Sequence, residues 1–244
     1  MKLSLVVPCY NEEGNVERFA QAVDKVFEKQ NYDYEIIFIN DGSKDNTMKE
    51  LKKIAENSNQ NIKIINFSRN FGKESGIYAG LKASTGDYVS IIDADLQQNP
   101  EYVVKMVDIL DNNEEYDSVV AYQEVRKESG LLTFCKNAFY RIINRMSEIE
   151  FVRGASDFRT FRRSMVNAVL ELNEYYRFSK GIFSWVGFNN YYMPYDVEIR
   201  TAGETKWSFW KLFKYAIDGI VSFTTVPLRL GTIMGILVSL LSLI

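Results

Sequence analysis

Short apolar runs alternate with amphipathic segments through the first half of the chain, and this alternation limits the possible folds more than any other feature. The runs predict strands and the amphipathic segments predict helices. The expected strands are Leu3–Val7, Tyr34–Ile39, Ile62–Phe67, Tyr88–Ile92 and Ser118–Ala121, and the expected helices are Val16–Glu28, Thr47–Glu56, Lys73–Ser84 and Glu101–Leu110. This order predicts an α/β fold, a mostly parallel sheet with helices on both faces.

The pattern becomes less regular after Leu131. It predicts a long amphipathic helix at Thr133–Ile149, a short strand at Arg159–Phe161, helices at Ser164–Leu170 and Ser179–Gly187, and an extended edge segment at Asn190–Arg200. A further amphipathic helix is expected at Ser208–Ser222, with Trp207 and Trp210 near its start. Such a helix either packs on its own domain or lies in a membrane interface. We favour the interface, because an apolar segment follows.

That apolar segment, Leu230–Ile244, has 15 residues without a charge. A complete membrane span needs about 20 apolar residues. The segment is therefore either a buried terminal helix or the start of a transmembrane helix that the chain cuts short, and we expect the second. Basic residues precede it, and the positive-inside rule places such residues in the cytoplasm. They are Lys206, Lys211, Lys214 and Arg229.

The composition excludes several kinds of chemistry. The chain contains no histidine, which rules out histidine zinc sites, histidine general bases and Ser-His-Asp triads. Any metal must then have oxygen ligands, as Mg²⁺ and Mn²⁺ prefer. The net charge of −3 gives no general basic field for nucleic acid. The two cysteines, Cys9 and Cys135, form no disulfide framework, which suits a reducing cytosol.

Two carboxylates, Asp93 and Asp95, directly follow the fourth predicted strand. They repel each other unless a positive charge lies between them. A hard divalent cation that carries substrate phosphates would supply this charge. The alternative is an ordinary acidic turn at the end of a strand. The sequence Asp93-Ala94-Asp95 alone does not decide between the two.

Polar residues follow all of the first four strands, and the carboxyl ends of parallel strands meet in one crevice. The four loops are Pro8–Gly14, Asn40–Asp45, Ser68–Lys73 and Asp93–Gln97. None contains a GxGxxG or GxxxxGK[ST] motif, which disfavours dinucleotide and P-loop chemistry. Asp41 can accept hydrogen bonds from a uracil or guanine edge, Tyr10 can pack near the base, and Arg69 and Lys73 can contact phosphates. Each loop alone could be an ordinary turn, but together they favour a nucleotide-sugar site.

These motifs resemble family 2 glycosyltransferases of the GT-A fold. The residues that carry the resemblance are Val7-Pro8-Cys9-Tyr10-Asn11-Glu12, Asn40-Asp41-Gly42-Ser43, Asn70-Phe71-Gly72-Lys73 and Asp93-Ala94-Asp95-Leu96-Gln97. Ser156-Asp157-Phe158-Arg159 and the Pro227-Leu228-Arg229-Leu230 segment resemble the polyprenyl-phosphate branch, with its dolichyl-phosphate mannose synthases and bactoprenol glucosyltransferases. The resemblance extends over essentially the whole chain.

The resemblance implies a metal-dependent enzyme that transfers one sugar, with inversion, from a nucleotide sugar to a polyprenyl phosphate at the cytoplasmic face of the cell membrane. UDP-glucose or UDP-N-acetylglucosamine is the expected donor, and GDP-mannose is the alternative. The metal would be Mg²⁺ or Mn²⁺, no nucleic acid partner is expected, and a homo-oligomer is possible. The implied organisation is a cytoplasmic catalytic domain over residues 1–205, a membrane-interface segment over 206–229 and the start of a transmembrane helix over 230–244.

The resemblance also implies roles for particular residues. The nucleotide sugar would contact Pro8, Tyr10, Glu12, Asp41, Ser43, Lys73, Asp93 and Ala94. The metal would be held by Asp95 with Asp93 and Gln97, and the catalytic residues would be Asp157, Asp93 and Lys73. The acceptor phosphate would meet Arg159, Arg200 and Lys206. Asp157 is either a base or a group that orients the acceptor or stabilises positive charge on the sugar. Without the resemblance, a salt bridge to Arg159, Arg162 or Arg163 would explain it.

Some features depart from the family, and other functions compete. Asn99 stands where proline is frequent, and Thr160 stands where leucine is usual. Members usually carry two transmembrane helices, so we expect the chain to be truncated. A processive polysaccharide synthase is disfavoured because no Gln-x-x-Arg-Trp motif is present. The apolar end of the chain disfavours a soluble nucleotidyltransferase, and the acidic residues with Lys73 disfavour an inactive membrane scaffold.

Overall fold

The structure is a computed structural model that describes residues 1–58, 60–122, 144, 152, 154–172, 174, 177–196 and 226–243. The helix predicted at Ser208–Ser222 lies outside the described residues, and so does the helix predicted at Thr133–Ile149 except for Asn144. The same holds for Arg200, Lys206 and Cys135.

Seven strands and seven helices form the described part of the chain. The strands are β1 (Lys2–Cys9), β2 (Asp33–Asn40), β3 (Asn61–Asn66), β4 (Tyr88–Ile91), β5 (Ser118–Tyr122), β6 (Ala155–Arg162) and β7 (Asn190–Pro194). The helices are α1 (Val16–Phe27), α2 (Thr47–Asn57), α3 (Lys73–Ala83), α4 (Glu101–Asn112), α5 (Arg163–Glu171), α6 (Ser179–Trp185) and α7 (Val226–Ser242). The predicted elements in these regions are confirmed, although β6 is longer than expected and β7 ends at Pro194.

The strands form one sheet in the order β3-β2-β1-β4-β6-β5-β7. Strands β3, β2, β1 and β4 are parallel, β6 is antiparallel to both of its neighbours, and β7 is parallel to β5. The predicted mostly parallel α/β sheet is therefore confirmed. Because β6 runs in the opposite direction, its amino end lies at the same edge of the sheet as the carboxyl ends of β1 to β4.

Both faces of the sheet are buried, as expected for a largely parallel sheet with apolar strands. On one face Leu5 and Phe38 pack with residues of α1 and α4 such as Phe19. On the other face Val6 packs with residues of α3, α5 and α6 such as Ile77. These two layers hold the strand ends in place, and with them the loops that follow.

The apolar end of the chain forms helix α7, which begins four residues before the predicted Leu230. The side chains described between Leu228 and Leu243 are exposed, and leucine, isoleucine, valine and methionine predominate among them. Within the described parts of the chain, no helix is both long enough and apolar enough to span a membrane. The predicted start of a transmembrane helix is thus not supported.

Candidate active site

The candidate site lies where the loops after the first four strands meet the amino end of β6. We name the loops in chain order: loop 1 is residues 10–15, loop 2 is 41–46, loop 3 is 67–72 and loop 4 is 92–100. The predicted convergence of these loops can be followed through their mutual hydrogen bonds.

Backbone groups and short side chains join loops 1 and 2. The Asn11 N–H donates to Ser43 Oγ at 3.0 Å, and the Lys44 N–H donates to Asn11 Oδ1 at 2.8 Å. The Glu12 N–H donates to Thr47 Oγ1 at 2.8 Å. Asn11 has a φ of 54°, a left-handed conformation that asparagine tolerates better than most residues. The structure thus brings the predicted nucleotide residues Glu12 and Ser43 to adjoining loops.

The buried carboxylate of Asp41 fixes loop 3. Its Oδ1 accepts the Phe71 N–H at 2.7 Å, and its Oδ2 accepts the Gly72 N–H at 2.9 Å. Burial raises the pKa of Asp41 above its ordinary value, against the opposing effect of these two hydrogen bonds. Because Lys73 follows Gly72 directly, Asp41 also helps to position the first residue of α3. Its predicted contact with the base stays a prediction, since a carboxylate oxygen can accept more than one hydrogen bond.

Gly42 allows loop 2 to touch loop 3. Its φ is +61°, and a β-carbon built there would lie 2.3 Å from the carbonyl carbon of Arg69. Any other residue would therefore force the two loops apart. An Asp-Gly pair is common in ordinary turns, but here the glycine is required because the backbone of Arg69 leaves no space for a side chain.

Lys73 lies between the carboxylates of Asp93 and Asp157. Its Nζ is 2.7 Å from Asp93 Oδ1 and 3.3 Å from Asp157 Oδ2. The strand register explains the meeting, because Ile91 on β4 pairs with Arg159 on antiparallel β6. Because the two strands run in opposite directions, Asp93, two residues after Ile91, comes opposite Asp157, two residues before Arg159. Like charges that face each other in this way destabilise a strand pair unless a cation neutralises them.

The neighbouring charges shift the pKa of Lys73 and the pKa of Asp157. Burial alone would lower the pKa of Lys73, but the charges of Asp93 and Asp157 outweigh burial and raise it above its usual range. Burial alone would raise the pKa of Asp157, but Lys73 first, and then Lys180 and Arg159, lower it to about 2. Asp157 is therefore ionised at neutral pH. Its Oδ1 is buried, and no hydrogen-bond partner for that atom lies among the described residues.

Gln98 holds Asp93 in place. Its Oε1 accepts the Asp93 N–H at 2.9 Å, and its Nε2 donates to Asp93 Oδ2 at 3.2 Å. Asp95 accepts the backbone N–H of Gln97 at 3.2 Å. The sequence pattern did not indicate a role for Gln98, because nothing in a polar loop distinguishes a residue whose side chain hydrogen-bonds to the residue five positions before it.

The predicted metal ligands lie together on loop 4. No group of three or more histidine, cysteine, aspartate or glutamate residues suited to a metal is found in the described part of the chain. The local oxygen donors come from Asp93, Asp95 and Gln97, and this set suits a hard divalent cation only if other ligands complete the shell. Substrate phosphates are the usual source of such ligands for Mg²⁺. The donor set therefore fits a cation that arrives with a diphosphate.

Arg159 and its neighbours support the amino end of β6. Arg159 is 4% exposed, its guanidinium lies 4.6 Å from the centre of the Phe183 ring, and its Nη2 donates to the Ser156 carbonyl at 2.8 Å. Arg162 and Arg163 donate to backbone carbonyls elsewhere, including those of Leu110 and Gly86. Among the described residues Asp157 forms its ion pair with Lys73, so the alternative of a salt bridge to Arg162 or Arg163 is not supported. Of the three arginines in that alternative, Arg159 contributes a charge that lowers the pKa of Asp157.

The other residues predicted to contact the nucleotide sugar lie next to these loops or within them. Pro8 lies in β1 opposite Ile39, Tyr10 is half-buried at the start of loop 1, and Ala94 is buried in loop 4. The structure thus brings Pro8, Tyr10, Glu12, Asp41, Ser43, Lys73, Asp93, Ala94, Asp95, Gln97 and Asp157 to one edge of the sheet. Among the predicted acceptor residues it describes Arg159 alone, whose side chain is buried.

Comparison with known proteins identifies the family. The sequence model described as Glycosyl transferase family 2 matches residues 4–170. The chain belongs to glycosyltransferase family 2. The matched range includes all four loops and Asp157, so the family assignment covers the whole candidate site.

Relatives in this family match nearly the full length of the chain. A Synechocystis glycosyltransferase is 44% identical, and the matched region covers 100% of this chain and 76% of the relative's length. A prophage bactoprenol glucosyl transferase homolog of Escherichia coli is 39% identical over 98% of this chain and 78% of its own. The bactoprenol glucosyl transferase of Shigella phage SfX is 39% identical over 99% of this chain and 79% of its own.

Solved structures share the fold at much lower identity. A mannosyltransferase from Pyrobaculum calidifontis, in complex with GDP-Man and Mn²⁺, has a TM-score of 0.58 and 16% identity, over 89% of this chain and 62% of its own. Glucosyl-3-phosphoglycerate synthase from Mycobacterium tuberculosis, in complex with Mn²⁺, UDP and phosphoglyceric acid, has a TM-score of 0.54 and 18% identity, over 88% and 75% of the two chains. Both are glycosyltransferase folds, as the sequence predicted.

Proposed function

We propose that this glycosyltransferase moves a single hexose from a nucleotide sugar to the phosphate of a polyprenyl lipid, with inversion at the anomeric carbon. UDP-glucose or UDP-N-acetylglucosamine is the favoured donor, and GDP-mannose is the alternative. The observation that carries the proposal is Lys73 between Asp93 and Asp157, at the edge of the sheet where all four loops meet. In this arrangement the ammonium group of Lys73, at the start of α3, can bind a diphosphate next to Asp157, an ionised carboxylate on β6.

The relatives support the lipid acceptor. Two matches that cover nearly the whole chain are described as a bactoprenol glucosyl transferase and as a homolog of one. Their identity of 39% over that length supports the same class of acceptor for this chain. We therefore base the proposed acceptor on these relatives and the proposed donor on the arrangement of the four loops.

The donor half would bind the diphosphate between loops 3 and 4. Lys73 supplies a fixed positive charge there, and Asp93 is held by Gln98 and Lys73 in one orientation. A bound Mg²⁺ or Mn²⁺, held by Asp93, Asp95 and Gln97, would supply further positive charge to the leaving diphosphate. Preorganised charges of this kind stabilise the transition state because they need no rearrangement during the reaction.

Asp157 would act on the acceptor side, and its low pKa argues for a particular role. A carboxylate with a pKa of about 2 holds a proton poorly, so it is a weak general base at neutral pH. A phosphate monoester with a second pKa near 6 is already largely ionised at pH 7. We infer that Asp157 orients the acceptor or stabilises positive charge developing on the sugar, while the phosphate attacks without the help of a base.

Residues after 205 would hold the enzyme at the membrane. We propose that residues 1–205 form the cytoplasmic catalytic domain, that 206–229 form an interface segment, and that 230–244 form the start of a helix that enters the bilayer. The exposed apolar side chains of that helix, such as Leu237 and Leu241, support this placement. A polyprenyl tail stays in the membrane, so its phosphate reaches a cytoplasmic site most easily when that site lies against the headgroups.

The donor assignment is tested by thermal unfolding of the full chain with UDP-glucose, UDP-N-acetylglucosamine and GDP-mannose, each with and without Mn²⁺. We expect one of the two UDP-sugars to raise Tm most, and to do so only with Mn²⁺, because ligands that bind the native state stabilise it. D95N should lose the Mn²⁺-dependent part of the shift, and D33N, a change at an exposed aspartate at the start of β2, should keep it. A shift that is the same with and without Mn²⁺ contradicts the metal site.

A further inference from the structure

A second contact, besides the one between Lys73 and Asp157, joins the donor and acceptor halves of the site. Glu74 follows Lys73 in the first turn of α3, and its Oε2 accepts the Ser179 N–H at 2.8 Å and also the Ser179 hydroxyl. Ser179 is the first residue of α6 and is 3% exposed. Residues 105 positions apart in the chain thus form a partly buried contact beside the candidate site.

This contact satisfies the start of helix α6. The first N–H groups of a helix have no partner within the helix, and the residue before α6, Phe178, makes no side-chain cap. Glu74 provides the missing acceptor from a different helix, and its negative charge suits the positive end of the α6 dipole. Glu74 thus adds a polar contact between α3 and α6 to the apolar packing that these helices share.

Helix α6 in turn supports the strand end that carries Asp157. Lys180 donates from its Nζ to the Ala155 carbonyl at 3.1 Å, and the Phe183 ring lies under the guanidinium of Arg159. Ala155 and Arg159 stand on either side of Asp157 in β6. The charge of Lys180 also lowers the pKa of Asp157.

The contacts close a ring. Lys73 touches Asp157 directly, while Glu74 reaches the same strand through Ser179, Lys180 and the Ala155 carbonyl. Two consecutive residues of α3 therefore contact the acceptor side. Lys73 forms an ion pair with Asp157, and Glu74 binds the start of α6.

We propose that Glu74 is a positioning residue that couples the two halves, because its bond to Ser179 sets the place of Asp157 relative to the donor. The assignment of Asp157 to the acceptor rests on the proposed function. Glu74 need not touch either substrate in this account. Its loss should therefore disturb the use of the acceptor and leave the binding of the donor nearly unchanged.

The kinetic test compares the full-length parent chain with E74A, E74Q, S179A and the double variant E74A/S179A. E101A serves as the matched control, since Glu101 is also a first-turn glutamate but is exposed. Initial rates of glucose transfer from UDP-glucose to undecaprenyl phosphate in detergent give kcat/KM for the acceptor. Calorimetry with UDP-glucose and Mn²⁺ gives the donor Kd.

We expect E74A to lower kcat/KM for undecaprenyl phosphate about tenfold, as loss of a hydrogen bond to a charged group would, with the donor Kd within about twofold of the parent value. E74Q should recover most of the activity, because its amide oxygen can still accept both bonds. S179A should show a smaller loss in the same direction, and the double variant should be no worse than E74A, because the two residues act through one contact. Equal losses for donor and acceptor, or an E74Q as damaged as E74A, overturn the proposal.

Hydrogen exchange separates this proposal from the proposed function. In E74A the amides of residues 179–185 should exchange faster, whereas those of α4 should not change, because only α6 loses its N-terminal acceptor. If the parent chain transfers no sugar, the proposed function fails, and the exchange of residues 179–185 still decides the contact. Unchanged exchange in E74A and in S179A contradicts the role of Glu74, whatever the activity.

Discussion

At the scale of single residues, the site is organised by charges that neutralise each other. Lys73 meets two carboxylates that would otherwise face each other across adjacent strands, and Gln98 holds one of them in place. The same ammonium would face the diphosphate of a bound donor. In the proposed function, this one side chain both neutralises the two carboxylates of the free protein and binds a negatively charged substrate.

Replacing Lys73 should therefore affect both activity and stability. We expect K73M to lower kcat/KM for sugar transfer by about 10²–10³, the usual effect of losing one preorganised cationic or hydrogen-bonding group. The Tm should also fall, because Asp93 and Asp157 lose their shared cation. Steady-state kinetics and thermal unfolding test both effects, with K82M, a change at an exposed lysine in the last turn of α3, as the control. A K73M enzyme that behaves like K82M contradicts the account of this lysine.

Gly42 offers a steric test of the contact between loops 2 and 3. We expect G42A to lower the free energy of unfolding by about 2–4 kcal/mol, since both a left-handed φ and a clash with Arg69 oppose the new methyl group. G187A is the matched control, because Gly187 also has a positive φ but has open space around it. It should cost only about 1 kcal/mol. Urea unfolding that gives equal losses for both variants contradicts the close approach of the loops.

The sequence identified most of the residues that the structure brings to the site, because they follow strands and form short motifs. It missed Gln98 and Glu74. Glu74 looks like an ordinary acidic residue in the first turn of a helix, and its partner Ser179 lies far away in the chain. Contacts of this kind carry no local pattern, so they emerge only when the sheet order is known.

At the scale of elements, helix α3 connects the site to the core. It begins at Lys73 and packs on the sheet through two glycines. A β-carbon on Gly80 would lie 2.3 Å from Val6 Cγ1, whereas one on Gly76 would lie 3.6 Å from Pro8 Cβ, at ordinary contact distance. The close approach near Gly80 therefore sets how the helix lies on the sheet.

The two glycines of α3 should respond to the same substitution in opposite directions. G76A should stabilise the protein by up to about 1 kcal/mol, because alanine favours a helix over glycine and fits the available space. G80A should destabilise it by about 1–3 kcal/mol, because the methyl group overlaps Val6 and Ile39. Chemical denaturation of the two variants measures the difference. A stabilising G80A would show that α3 lies further from the sheet.

The sequence predicted the bounds of most elements to within two residues, because their periodicity is strong. Strand β6 was predicted too short, as Arg159–Phe161 instead of Ala155–Arg162. Its first residues include Ser156, Asp157 and Arg159, whose polarity obscures a strand that lies in the middle of the sheet. Those polar residues occur there because they belong to the candidate site or support it.

At the scale of the whole molecule, the sheet has a buried charge at the edge opposite the site. Glu35 is fully buried, lies 2.8 Å from Lys63 Nζ and accepts hydrogen bonds from Ser4 and Thr85. Burial alone would raise the pKa of Glu35, but these partners outweigh burial and lower it to about 2. The cluster joins β1, β2 and β3 to the turn before β4.

This cluster should make the stability of the protein depend on acid. Because the folded-state pKa of Glu35 lies below its ordinary value of 4.5, the stabilisation is complete above that pH and is lost as the pH falls toward 2. Between pH 6 and pH 2 the parent chain should lose about 3 kcal/mol more than E35Q. Urea unfolding at several pH values measures this. Parallel pH profiles for the two proteins contradict the role of Glu35.

The fold class was predictable from the sequence, but the strand order was not. The alternation of strands and helices indicates a parallel sheet, whereas the insertion of β6 between β4 and β5 depends on long-range pairing that leaves no signal in the local pattern. That insertion brings Asp157 to Asp93 and thereby completes the site. The predicted interface helix lies outside the described residues, so it stays a prediction.

The most direct test of the central claim is the transfer reaction itself. The full chain, in detergent with undecaprenyl phosphate and Mn²⁺, is incubated with UDP-glucose, UDP-N-acetylglucosamine or GDP-mannose labelled in the sugar, and the lipid fraction is analysed. We expect one labelled sugar per lipid phosphate, with inverted anomeric configuration, from one of the UDP-sugars, and no labelled lipid with the D95N variant. A parent chain that binds a nucleotide sugar but labels no lipid phosphate, or that builds a chain of several sugars, would contradict the central claim.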